Sequence, residues 1–207
     1  MKDKVIMKYT RKAKDLKPRK IFIFTEGSVT EQIYFKKFID YFKISQASVQ
    51  VIDRASSKSS PKAVLDYVIE FEQQRKQLEP VLYKRYEYWL VIDYDKWGTN
   101  LITSIKKAER RNYYIALSRP CFEIWFLLHY RNAQSIIQDQ TNLCSKREIN
   151  KAIQTHNPSR SYEKNYFEKT DFATQNAEDL DIDPDQRILQ SIGTRVYRLV
   201  KIISEYK

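Results

Sequence analysis

Two carboxylates, Asp93 and Asp95, stand two residues apart directly after the apolar run Tyr88-Trp89-Leu90-Val91-Ile92. That run is short and rich in β-formers, which predicts a buried strand. In an extended chain residues i and i+2 project from one face, so both acids point the same way at the strand's carboxyl end, where open α/β sheets keep their ligands. Anions held that close repel one another. A protein tolerates them when a divalent cation, or a phosphate-bearing substrate bridged by one, lies between. The same residues also describe a strand ending in a turn, because Asp is a common turn former.

The elements that must position these acids can be read from periodicity. Ile21 to Phe24 is a short apolar run that predicts a first strand, with Glu26 at its end. Phe35, Phe38, Ile39 and Phe42 recur at helical spacing and predict a helix from Thr30 to Phe42. Val49 to Ile52 is a second strand, and Ser60-Pro61 opens a helix that carries Val64, Tyr67, Val68 and Phe71 to about Leu78. After the acidic loop come a helix over roughly Leu101 to Arg110 and a strand from Tyr113 to Leu117. Ser118 then caps a helix beginning at Pro120 that includes Glu123, Trp125 and His129. Strands alternating with helices predict βαβ units and a parallel sheet. Beyond Tyr130 the pattern is helical only, with a capping box at Ser145 to Glu148 and a closing helix over Val196 to Ile203. The acidic stretch from Asn176 to Gln186 reads as a loop.

Composition narrows the function classes. The chain has 207 residues and only 3 glycines, which excludes a Walker or Rossmann phosphate loop. Two cysteines, Cys121 and Cys144, are too few for a disulfide framework or a zinc site, and no apolar run suggests a membrane span, so a cytoplasmic protein is expected. The formal charge is +11, of which residues 1 to 20 carry +7. Such an arm suits nucleic-acid phosphates, or is a solvated tail.

The order of motifs adds a resemblance. Glu26-Gly27-Ser28-Val29-Thr30-Glu31 with Tyr34-Phe35, then Asp93-Tyr94-Asp95, then Ser118-Arg119-Pro120-Cys121-Phe122-Glu123-Ile124-Trp125 with Leu127-Leu128-His129, together resemble the RloB family. Tyr162-Glu163-Lys164-Asn165 and the closing Thr194-Arg195-Val196-Tyr197-Arg198-Leu199-Val200 extend it, from about residue 19 to the end. The resemblance implies a Toprim-superfamily protein: an α/β, Toprim-like parallel-sheet (Rossmann-like) core with a C-terminal helical extension. It also implies a bacterial restriction or abortive-infection setting, with a partner ATPase in some systems. Toprim domains use one Glu after the first strand and an Asp-x-Asp after the third, and Glu26, Asp93 and Asp95 fall on those positions. Three hard oxygen donors favour Mg²⁺ or Mn²⁺. Arg119 departs from the family pattern, which more often has Asn there.

These readings divide the chain into a basic arm (1–18), a Toprim-like core (19–130) and a helical part packed on it (131–207). They predict a metal-dependent nuclease acting on DNA or RNA, with tRNA among the candidates, in anti-phage defence. Glu26, Asp93 and Asp95 are its catalytic and metal-binding residues. Lys96 and Arg119 are candidates for phosphate contact, and Glu123 and His129 for supporting places behind the acids. A carboxylate at Glu123 is also favoured simply by the helix dipole. A haloacid-dehalogenase-like phosphatase and a non-catalytic Toprim binding module are the alternatives.

Overall fold

The computed structural model describes residues 20–53, 60–94, 98–157, 162 and 166–207. The basic arm, Asp95, Lys96 and the Glu163-Lys164-Asn165 part of the last signature but one lie outside the described residues.

Five strands form one sheet in the order β2-β1-β3-β4-β5. They are β1 (Lys20–Thr25), β2 (Val49–Val51), β3 (Tyr86–Asp93), β4 (Tyr114–Arg119) and β5 (Gly193–Thr194). The first four run parallel, and β5 joins β4 antiparallel. Central parallel strands are covered on both faces, which is why β1 and β3 read as continuous apolar runs and not as alternating ones. Ile21 and Ile23 enter one core together with Trp89 and Val91, while Phe22 and Phe24 enter the opposite core with Tyr88, Leu90 and Ile92. All four β1 residues are fully buried. Each contributes roughly 1.5–3 kcal/mol of transfer free energy.

Eight helices are present among the described residues. The second core is closed by α2 (Pro61–Leu78) and α3 (Thr99–Glu109). Ser60 Oγ accepts a hydrogen bond from the Ala63 amide, and Pro61 occupies the first helical position, so the start of α2 is set by local sequence. The first core is covered by α1 (Thr30–Tyr41) and by the later helices α4 (Glu123–Leu127), α5 (Ala133–Gln138), α6 (Lys146–His156), α7 (Thr170–Leu180) and α8 (Val196–Ser204). Ser145 caps α6 by accepting from the Glu148 amide, as the capping box predicts.

Four expectations from periodicity need correction. Ser118 is not a cap: β4 runs on through Arg119, and Ser118 Oγ is buried at 2.8 Å from Thr194 Oγ1 of β5. The helix expected from Pro120 through His129 is shorter, since regular α-helix begins at Glu123 and ends at Leu127. The Asn176–Gln186 stretch is not all loop, because α7 extends to Leu180 with Asn176, Ala177 and Leu180 buried. The C-terminal part is also not purely helical, as Gly193-Thr194 adds the antiparallel edge strand. Tertiary contacts override local charge and turn preference at each of these places.

Candidate functional site

The parallel register pairs Thr25 with Val91, so β1 and β3 end side by side. The Glu26 amide donates to the Val91 carbonyl at 2.9 Å, and the Asp93 amide donates to Glu26 Oε2 at 3.2 Å. Two carboxylates distant in sequence thereby come together at the carboxyl end of the sheet, because the crossover through β2 leaves β1 next to β3. Asp95 lies outside the described residues.

Glu31, which was not assigned a role from sequence, joins them, and so does Glu123, which was expected in a supporting place behind the acids. Glu31, in the first turn of α1, is 4% exposed. A side chain at position 27 would run into the Glu31 carboxylate, so Gly27 is what lets that carboxylate fold back over the loop after β1. Glu123, in the first turn of α4, is 3% exposed. Its Oε1 meets Lys146 Nζ at 2.7 Å, and its Oε2 has no hydrogen-bond partner. The helix dipole alone does not account for a carboxylate this buried. The local signal for Glu31 was its place five residues after Glu26 behind a glycine. Lys146 had none, since it arrives from a helix more than fifty residues beyond Asp93.

Asp93 keeps an opening to the cleft yet is enclosed enough that burial pushes its carboxyl well above the usual range. The negative charges of Glu31, Glu123 and Glu26 push in the same direction, and Lys146 opposes them. Burial by itself would lower the Lys146 ammonium, but Glu123, Glu31 and Asp93 raise it overall. The Cys121 thiol is pushed up by burial and then by Glu123 and Asp93, which makes it a poor nucleophile.

Glu26, Glu31, Asp93, Cys121 and Lys146 border a cleft of about 650 Å³ whose wall also includes Arg119 and Ser145, while Glu123 lines a smaller cavity next to it. The Arg119 guanidinium stacks on Tyr94 at 4.3 Å, and its Nη1 donates to the carbonyls of Leu189 and Gln190 at 2.7 and 2.9 Å. Part of its hydrogen-bonding capacity is therefore committed to the loop before β5. His129 belongs to the core: it is fully buried, its Nδ1 donates to the Trp125 carbonyl at 2.8 Å, and burial pushes it down to about 3. It stays neutral at physiological pH and stands behind α4, packed against Trp125 and Tyr166.

Among the described residues no three acidic, imidazole or thiol groups already converge on one metal position. The donor set nevertheless fits a hard divalent cation. Its groups are carboxylate oxygens, and burial together with the neighbouring acids raises the Asp93 carboxyl, which is the electrostatic condition such an ion relieves. Among the described residues no helix is long and apolar enough to cross a membrane.

A family model described as RloB-like protein matches residues 21–203. No curated protein and no solved structure matches the chain.

Proposed function

Because the chain belongs to the RloB-like family, we propose that it is a Toprim-type, Mg²⁺- or Mn²⁺-dependent nuclease serving bacterial anti-phage defence. The observation that carries this reading is the pairing of Glu26 with Asp93 at the ends of adjacent parallel strands, where among the described residues burial and three neighbouring acids raise the Asp93 carboxyl against the opposition of Lys146. That adjacency is what the Toprim resemblance calls for. A buried acid surrounded by other acids has no stabilising role of its own.

Glu26 and Asp93, with Asp95, would hold the ion. When bound, the ion supplies polarisation of a phosphoryl oxygen and an acidified water. The protein's part is to fix its ligands and to bring the phosphodiester to them. Glu26 Oε2 is oriented by the Asp93 amide, so the two acids keep a common geometry. Glu31, closed over Gly27, adds charge from the α1 side. Lys146 and Arg119 line the same cleft as the acids, so a phosphate entering meets cations as well as carboxylates.

The test is cleavage of labelled single-stranded DNA, duplex DNA, RNA and tRNA pools, with and without Mn²⁺, by the parent and by Glu26→Gln, Asp93→Asn and Asp95→Asn. Each variant is expected to lose at least about 100-fold in rate, or roughly 2.7 kcal/mol of transition-state stabilisation, with an unchanged far-UV spectrum. Full activity in all three variants would end the assignment.

A further inference from the structure

Behind Lys146 lies a second cavity of about 270 Å³. Lys146 lines both spaces, so the cavity opens beside the carboxylate cleft with one ammonium at the junction. Asn150, one helical turn further along α6, also faces this second space. Its aromatic wall is made by Phe126, Tyr162 and Tyr166. Phe126 and Tyr166 have ring centroids 4.7 Å apart, and Tyr162 lies 5.8 Å from each of them. Phe126 and Tyr166 are nearly buried while Tyr162 is half-buried, so the rings form a fixed wall with one accessible member. Lys37 Nζ lies 5.2 Å from the centre of the Tyr162 ring.

An aromatic wall whose rings meet at 36° to 80°, one side-chain amide and two ammonium groups, one of them paired with the Glu123 carboxylate that also lines the cavity, match the chemistry of a nucleobase with its phosphates. Bases stack on such rings, an amide can pair with a base edge, and lysines meet the backbone. A base inside a duplex cannot reach a recess of this kind, because it remains stacked and paired. We propose that this cavity takes one unpaired nucleobase of the nucleic acid whose phosphate lies in the carboxylate cleft, which makes a single strand, loop or bulge the substrate class. The placement of that phosphate rests on the nuclease reading above. Lys146 stands where the sugar-phosphate chain passes from one space to the other.

The experiment measures binding by fluorescence anisotropy, with Ca²⁺ in place of Mn²⁺. The probes are a labelled single strand, the same strand made abasic, and the corresponding duplex. The parent is expected to bind the base-bearing strand about tenfold more tightly than either control, the range that one base-aromatic stack supports. Tyr162→Ala and Asn150→Ala should each erase most of that preference while leaving duplex binding unchanged, and Tyr162→Phe should keep it. A melting curve for each variant separates lost recognition from lost folding, and Asn150→Ala carries the test if Tyr162→Ala does not fold. Tight binding of all three probes alike, or a preference that survives both alanine changes, overturns the pocket and leaves the nuclease reading standing. Binding of none of the probes overturns both. A base preference that depends on Tyr162 and Asn150, in a protein that cleaves nothing with Mn²⁺, upholds the pocket and removes the hydrolytic reading alone.

Discussion

Asp93 and Asp181 are both enclosed acids at the ends of elements that meet the sheet, and the molecule treats them in opposite ways. Asp181 ends α7 at 6% exposure. Arg195 reaches its Oδ1 through Nε and Nη2 at 3.2 and 3.0 Å, while the Tyr197 hydroxyl and Arg198 Nη2 donate to Oδ2 at 3.0 and 2.8 Å. Arg195 also donates to the carbonyls of Gln186 and Asp183, which fastens the loop before β5. Burial would raise the Asp181 carboxyl, but the hydrogen bonds and charge of Arg195, with Tyr197 and Arg198, bring it below the usual value. Around Asp93 the neighbours are Glu31, Glu123 and Glu26, with Lys146 alone opposing among the groups named, and the shift is upward. Burial acts alike on both. The sign of the neighbouring charge decides which acid is held ionised within the fold and which has its carboxyl raised.

The sharpest way to break this comparison is Asp181→Asn. Removing the acid leaves Arg195 buried without its counter-charge, and breaking such a pair costs about 3–5 kcal/mol. For a chain of this size that is a fall of roughly 6–20 °C in melting temperature. A melting temperature within a degree or two of the parent would mean that the pair is not structural.

Metal should act on the other region only. A ligand that binds the folded state at ~100 times its dissociation constant adds about 2.7 kcal/mol, or roughly 5–10 °C here. A Mn²⁺ titration against an EDTA baseline is expected to give that rise for the parent. Asp95→Asn should lose most of it, and the distant control Asp183→Asn should keep it. If the parent does not respond at millimolar Mn²⁺, the acids are not a metal site in the isolated protein.

The smallest effect is the most diagnostic of sign. Because the folded-state value of Asp93 is raised, the folded protein holds that proton more tightly than the unfolded chain. Its contribution therefore favours folding at low pH and is lost as pH rises from the ordinary carboxylate value through the raised one. Asp93→Asn should accordingly raise the metal-free melting temperature by a few degrees at pH 8, and the gain should shrink towards pH 4. Asp181, whose value is lowered, contributes in the opposite sense: its stabilisation is present above the ordinary carboxylate value and fades as pH falls through the lowered one. A gain from Asp93→Asn that is the same at both pH values would show that its proton is not the cause.

Much of this was legible in the chain itself. The apolar runs of β1 and β3, the aromatic stripe of α1, and the serine caps of α2 and α6 follow from local periodicity and capping, which depend on residues a few positions apart. The placement of Glu26 and Asp93 at strand ends followed as well. Membership of the RloB-like family was visible in the order of the motifs, and the match over residues 21–203 bears it out. What tertiary structure alone decided is which distant groups meet. Ser118 looked like a cap and became a buried strand residue because β5 supplies Thr194 beside it. Asn176 to Leu180 looked like loop because acidic and polar residues line it, yet Asn176 bonds both the Ala133 amide and the Leu128 carbonyl from inside a helix. Glu123 looked like a carboxylate favoured by a helix dipole, and packing buried it against Lys146 of α6. Sequence patterns report the period of an element and the chemistry of its ends. The electrostatic sign around a buried acid depends on side chains brought together from five separate elements, and no local pattern encodes that sum.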